Sequence, residues 1–187
     1  MIRARIAGTG SCIPEKVLTN KEIEEFVDTS DDWIVARTGI RERRIAAPEQ
    51  NTSDLAAEAS RRALEMAGVA PEELDLIVVG TITGDFPWPA TACLVQAALG
   101  ADRAFAYDVS AACSGFVYSL DAAAAKIASG SVKKALVVGA EVLSRAIDWK
   151  DRNTCVLFGD GAGAVVLEGS SDDSGILSTH LHSDGNY

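Results

Sequence analysis

The chain has 187 residues, 48% of them hydrophobic, enough for one ordinary domain with a real core. Its formal charge of -10 excludes a whole-surface affinity for nucleic acid or for an anionic membrane, since either would repel it. Four cysteines, Cys12, Cys93, Cys113 and Cys155, lie far apart without a CxxC pair, which fits neither a zinc site nor a disulfide scaffold.

The opening MIRARIAGTG alternates basic and apolar residues, which predicts a first strand over 2–8 and no signal peptide; a cytoplasmic protein with reduced thiols is expected. GTGSCI at 8–13 lacks the third glycine of a dinucleotide-binding loop. In DTSDDWIVARTGIRERR at 28–44, Ser30 as N-cap, Asp31 and Asp32 in the first turn and Gly39 past the end predict a short helix. Trp33 and Arg37 are four apart and share its face. Arg37, Arg41, Arg43 and Arg44 stand against a single Glu42, a basic island in an acidic chain that would attract an anion.

Over 53–67, Leu55, Ala59, Ala63 and Met66 fall on one face of a second helix, capped by Asn51 or Thr52 and stopped by Gly68. A strand follows at 74–81 (LDLIVVGT), then a helix from Pro89 to Gly100, a strand at 104–109 and a helix over 113–129 before Gly130. The strand at 134–140 (KALVVGA) repeats the earlier LxVVG-like ending 59 residues on, so the two read as parallel neighbours. FGDGAGA at 158–164 lies between two apolar runs instead of opening a helix, and Gly159, Gly161 and Gly163 read as a tight turn before a strand at 163–168. SSDDSG is a polar turn, after which GILSTHLHSDGNY begins another strand-like run. The most apolar stretch, 104–129, is broken by Asp108, Asp121 and Lys126, so it falls short of the roughly 18 clean residues of a membrane span.

Alternating strands and helices predict an α/β fold with a mostly parallel sheet. The helix over 113–129 shows no polar face, which predicts burial on all sides and therefore a second covering sheet. Cys113 is at its start, within DVSAACSGFVY. A thiol there meets unpaired N–H groups and the positive end of the helix dipole, both favouring ionised sulfur. Ala111, Ala112, Ser114 and Gly115 are small and leave room for a substrate and for N–H groups aimed at a developing oxyanion. The other three cysteines read as buried hydrophobes.

DVSAACSGF, DTSDDWIVARTGIRERR and DRNTCVLFGDGAGAVVL at 151–167 together resemble the 3-oxoacyl-acyl-carrier-protein synthase III family, the ketoacyl synthases that start bacterial fatty acid synthesis, over residues 6–187. The resemblance implies a thiolase-like fold, two α/β halves stacked as five αβαβα layers, with residues 1–170 as the nucleophile-bearing N-terminal half and 171–187 as the truncated start of the second half. It implies an acyltransferase: Cys113 takes a short acyl group from acyl-coenzyme A, and malonyl-acyl-carrier protein then loses CO2 and condenses with it. Thr29, Trp33, Arg37 and Arg152 would bind coenzyme A; Trp88, reaching across a homodimer, Leu143 and Phe158 would wall the acyl pocket.

No metal or other cofactor is implied, and the acyl-carrier protein is the expected partner. Arg41, Arg43 and Arg44 read as a solvated charge run, with a carrier-protein patch as the alternative. The family's histidine and asparagine for decarboxylation match nothing in these 187 residues, and His180 and His182 take no role, so the chain alone is expected to be inactive. Two other readings stay open: a related condensing enzyme, such as a polyketide starter or hydroxymethylglutaryl-coenzyme A synthase, and a non-catalytic coenzyme A-binding subunit.

Overall fold

The computed structural model describes residues 2–186. Five strands build one sheet in the order β1 (Arg3–Cys12), β7 (Asp160–Ser170), β6 (Lys134–Val142), β4 (Leu76–Gly80), β5 (Phe105–Val109). The strands β5, β4 and β6 run parallel, and β7 and β1 are joined to them by antiparallel ladders. The two similar strand endings do lie side by side, with Leu76 opposite Ala135 and Gly80 opposite Gly139. A second, two-stranded sheet pairs β2 (Lys16–Thr19) with β3 (Glu42–Ile45), which the sequence pattern did not announce.

Helices cover both faces of the large sheet. On one lie α3 (Thr52–Ala67) and α4 (Thr91–Leu99), over Ile77, Val79, Leu136, Val138, Ala164 and Val166. On the other lies α5 (Gly115–Ala128), over the alternate residues Leu76, Val78, Val137, Val165 and Leu167. Strand β4 is buried at every residue, as a parallel strand sandwiched between helices must be, and so reads as an unbroken apolar run.

Helix α3 has the expected boundaries, from N-cap Asn51 to Gly68 in the left-handed conformation at φ 65°. Its apolar stripe differs in one residue: Leu55, Ala59 and Ala63 are buried, whereas Met66 is 66% exposed, its sulfur accepting from the Thr9 N–H at 3.3 Å. The smallness of the alanines has a purpose. A Cβ on Gly8 would stand 2.4 Å from the Ala63 carbonyl oxygen, and one on Gly10 2.2 Å from that of Ala59, so α3 lies directly on the backbone of β1. That is the role of the glycines in GTGSCI. The glycines of FGDGAGA correct the expected turn, because Gly161 and Gly163 lie inside β7 and only Gly159 precedes it.

Two further expectations change around α5. Its fully buried residues, Gly115, Ser119, Ala123 and Ile127, recur every fourth position and form one stripe against the sheet, while Val117 is 48% exposed. No described strand covers the opposite side, so the second sheet inferred from the missing polar face is not among residues 2–186. The run after SSDDSG joins no ladder either. It passes beside α5, held by Ile176 N–H to the Ala4 carbonyl (2.8 Å), Thr179 to Asp121 and Tyr118 to the His182 carbonyl (2.9 Å). No helix among the described residues is long and apolar enough to cross a membrane.

The start of α5 packs on strand ends from which side chains are absent. A Cβ on Gly80 would come within 2.6 Å of the Gly115 carbonyl carbon and 2.8 Å of the Phe116 nitrogen, both rigid backbone; one on Gly139 would meet the Phe116 Cβ at 3.3 Å. Gly80→Ala must push the helix off the sheet and is expected to destabilise the protein by about 1–3 kcal/mol or more in denaturant unfolding. Gly163→Ala has no atom within 4 Å of the added methyl and should stay within about 0.5 kcal/mol of the parent. Equal losses in the two variants would contradict this packing.

Candidate active site

The parallel strands β4, β5 and β6 deliver their C-terminal ends to one edge of the sheet, where α/β proteins gather their sites. Cys113 emerges there, four residues past the end of β5. It is not in the first α-helical turn, as the sequence suggested, but in a 3-10 turn, Ala112–Ser114, that leads into α5. Ser114 N–H donates to the Ala111 carbonyl at 3.0 Å, which closes that turn. Ala112 has φ 45°, the one described non-glycine residue in the left-handed region, at a cost of about 1–2 kcal/mol. The strained turn holds the thiol out of the core, and Cys113 is exposed while Cys12 and Cys155 are buried.

Carboxylates that the sequence reading did not single out fix the surrounding loops. Asp108, on the edge strand, accepts from Thr91 N–H (2.6 Å) and Ala92 N–H (2.7 Å), capping α4, whose own N-cap Ala90 has no side-chain acceptor. Glu141, at the end of β6, takes the Ile82 N–H at 2.9 Å and the Thr83 hydroxyl, tying down the loop after β4. Asp160, 8% exposed, accepts from Ala46 N–H (2.7 Å), Ser144 N–H (2.8 Å) and Ser144 Oγ (2.6 Å), joining three segments. No local signal marks these residues, because each binds a segment remote in sequence.

The expected pocket residues reach the same edge. Leu143 follows β6, Phe158 precedes β7, and the register between the strands, Val142 opposite Asp160, places both at the site end; each is half-buried. Trp88, in the loop after β4, is 81% exposed, with Ile82 and Phe86 also more than half exposed. Its indole is therefore largely open to solvent within this chain.

The basic and aromatic residues divide into two groups. Helix α2 (Asp31–Thr38) forms between N-cap Ser30, whose hydroxyl accepts from Trp33 N–H at 3.1 Å, and Gly39 at φ 72°. The Trp33 ring meets the Arg37 guanidinium at 4.4 Å and that of Arg152 at 4.7 Å, the latter from the short helix α6 (Arg152–Cys155). Sequence positions more than a hundred apart thus meet. Thr29 lies just ahead of α2 with its hydroxyl oxygen buried and unpartnered. Arg152 also donates to the Asp28 carbonyl at 3.0 Å.

Arg43 departs from the expected solvated run. It is 6% exposed and donates to the carbonyls of Leu18 (3.0 Å) and Val156 (3.1 Å) and to Asn20 Oδ1 (2.8 Å). Burial lowers the proton affinity of its guanidinium from the ordinary arginine value. Arg44 is tied to the Pro14 carbonyl (3.3 Å), and Arg41 is exposed. Among the described residues no group of three or more histidine, cysteine or carboxylate side chains could hold a metal ion.

Residues 107–185 match the family model for 3-oxoacyl-[acyl-carrier-protein (ACP)] synthase III. The chain is 63% identical over 184 residues to beta-ketoacyl-[acyl-carrier-protein] synthase III of Xanthomonas campestris pv. campestris and 64% identical to that of Xylella fastidiosa, matching 98% of its own length and 56% of theirs. It superposes on the crystal structure of 3-oxoacyl-[acyl-carrier-protein] synthase III from Aquifex aeolicus VF5 with a TM-score of 0.95 at 55% identity, covering 97% of this chain and 59% of that one. The chain thus spans little more than half the length of the relatives it matches.

Exposure separates the thiols chemically. Burial pushes the Cys155 thiol up from its ordinary value, with Asp151 adding to the shift, and burial likewise raises Cys12. Iodoacetamide on the native protein at pH 7.5 should therefore label Cys113 first, and Cys12 and Cys155 at comparable rates only after unfolding, as peptide mass spectrometry would read. Labelling of Cys155 as fast as Cys113 would contradict the arrangement.

Proposed function

Because the chain belongs, as a partial-length match, to the 3-oxoacyl-[acyl-carrier-protein] synthase III family, we propose that it carries the acyl-accepting part of an initiating condensing enzyme. The observation that supports this best is the exposed Cys113 on its strained turn at the carboxyl ends of the parallel strands. In this reading the Cys113 thiolate attacks the thioester carbonyl of a short acyl-coenzyme A. The tetrahedral intermediate collapses with loss of coenzyme A thiolate, and the acyl group rests on Cys113 as a new thioester. Little free energy separates the two thioesters, so the acyl group stays activated for attack by carbon.

The second step of the reading consumes malonyl-acyl-carrier protein. Its carboxylate leaves as CO2, the electron pair released onto the α-carbon attacks the acyl carbonyl, and the Cys113 thiolate departs. The histidine and asparagine expected to stabilise that enolate belong to the length of the relatives that this chain does not span, so residues 1–170 take the role of the nucleophile-bearing half and 171–187 the beginning of its complement.

Trp33, Arg37 and Arg152 form the coenzyme A end of the proposal, beside Thr29. An aromatic ring within cation–π range of two guanidiniums suits a purine with adjoining phosphates, and it confines positive charge to the place where an acidic protein would receive an anionic substrate. Ring and guanidinium planes must stand about 7 Å apart, two van der Waals contacts, to admit a purine between them. At 4.7 Å, Arg152 must therefore release the Asp28 carbonyl and swing away on binding. Leu143 and Phe158 would wall the acyl group. The exposed Trp88, Phe86 and Ile82 offer the apolar surface that a second copy would cover in a homodimer, with Trp88 entering the neighbour's pocket. Both substrates place the reaction in the cytoplasm, and no bound cofactor takes part.

Incubation of the full-length protein with acetyl-coenzyme A should add one acetyl group, read by mass spectrometry on the peptide containing Cys113 and lost in Cys113→Ala. Trp33→Ala should weaken coenzyme A binding about tenfold, the equivalent of roughly 1.4 kcal/mol of stacking. An adduct on a different residue, or none, would refute the assignment.

A further inference from the structure

The two walls of the Trp33 and Arg152 pair come from segments with no ladder between them: α2, which follows β2 and the short helix α1 (Asn20–Glu24), and α6, which precedes β7. A small apolar cluster of Ile23, Val27, Ile34, Cys155 and Val156 fills the space beneath, with Trp33 packed at its margin. Apolar contact alone leaves such elements free to slide by fractions of an ångström, because it has no preferred direction. Directional bonds between them are therefore informative. One, from Arg152 to the Asp28 carbonyl, is released on binding in the proposed reading; the others converge on one side chain.

Arg43 lies on β3, beneath both walls. One of its terminal nitrogens donates to the Leu18 carbonyl of β2 at 3.0 Å; the other donates to Asn20 Oδ1 at 2.8 Å and to the Val156 carbonyl, the C-cap of α6, at 3.1 Å. Asn20 is 1% exposed and extends the link, its amide donating to Asp31 Oδ1, in the first turn of α2, and to the Ile40 carbonyl just past its end, both at 2.7 Å. A single buried guanidinium thus reaches α6 directly and both ends of α2 through one intermediary. Burying such a cation is costly, the more so because its Nε finds no partner and only the two terminal nitrogens are bonded, so a tie between segments is what the buried charge contributes in a cluster this small. Lysine could not reproduce it, since only the planar fork addresses three acceptors in fixed directions.

We propose that Arg43 is a positioning residue that sets the separation of α2 from α6, and so the geometry in which Trp33 and Arg152 receive the nucleotide end of coenzyme A. The inference rests on the reading that those residues hold coenzyme A. Arg43 itself touches no substrate, so its loss weakens coenzyme A binding while chemistry at Cys113 under saturating substrate continues.

The test is calorimetric titration of coenzyme A into full-length wild type, Arg43→Met, Arg43→Lys, Arg152→Ala and the Arg43→Met/Arg152→Ala double variant. Arg43→Met should bind about tenfold more weakly and Arg43→Lys should recover part of that loss, with the acylation rate at saturating acetyl-coenzyme A within twofold of wild type. In the Arg152→Ala background the same change should cost less than twofold, because one of the walls it aligns has lost its side chain. An undiminished loss in that background, or an acylation rate that falls along with affinity, would show a general structural role and overturn the proposal; so would unchanged affinity in both Arg43 variants. The Trp33 indole N–H resonance, assigned with Trp33→Phe, provides a reading without ligand: it should shift in Arg43→Met and return towards its position in Arg43→Lys. If wild type fails to bind coenzyme A, the substrate reading falls, and an unmoved resonance would still overturn the positioning role by itself. Should Arg43→Met not fold, Arg43→Lys carries both measurements.

Discussion

Backbone touches backbone where α5 meets the sheet, and the rest of the site is arranged around that contact. Gly80 and Gly115 face each other with no side chain between them, and Gly139 leaves the neighbouring space to Phe116. The strand end therefore fixes where the helix begins. Since only Ser114 separates Cys113 from Gly115, the same contact fixes the thiol relative to the sheet. The packing of interiors is unforgiving at this scale: a single methyl inserted between rigid backbones has nowhere to go. The left-handed Ala112 is the local cost of turning the chain from β5 into a helix that starts so close to the sheet.

A second theme is the confinement of charge. The molecule is acidic overall, yet its guanidiniums are assigned distinct tasks: Arg37 and Arg152 lie against an indole at the surface, and Arg43 is buried as a tie between segments. Carboxylates are used in the same two ways. Asp108 and Asp160 are spent on backbone N–H groups of remote segments, while most of the remaining acids are solvated. Such buried polar links give rigidity and register more than net stability, because desolvation offsets much of each bond. The proposed function, which aligns a thiol, an acyl chain and a long nucleotide, calls for that rigidity.

The elements legible in the sequence were those with periodic or punctuated signals. The β4 and β6 strands showed as apolar runs, α2 and α3 as capped segments ending in glycine, and the convergence of Trp33 with Arg152 followed from family resemblance. What stayed hidden was set by tertiary partners. The β2 and β3 strands are short and carry charge, so their pattern is weak; Arg43 looked like any member of a basic run until its acceptors 25 and 113 residues away were visible. Gly161 and Gly163 suggested a turn because glycine signals turns, whereas here they are strand residues, Gly161 lying close to the Cys12 carbonyl. Met66 fitted a helical stripe by spacing, but it falls at the margin of the stripe and lies exposed beside the Thr9 N–H of β1.

The claim that glycine-permitted contact places the nucleophile is tested most directly by the rate of Cys113 acylation in Gly115→Ala. There the added Cβ would stand 3.3 Å from the Gly80 Cα and 3.5 Å from the Val109 carbonyl oxygen, a crowding that a shift of a few tenths of an ångström relieves, so the fold is kept. Misplacement on that scale should slow single-turnover acyl transfer from acetyl-coenzyme A by about tenfold while coenzyme A affinity, which the proposal assigns to α2 and α6, stays within twofold. Acylation at the parental rate in a variant with intact binding would contradict the account.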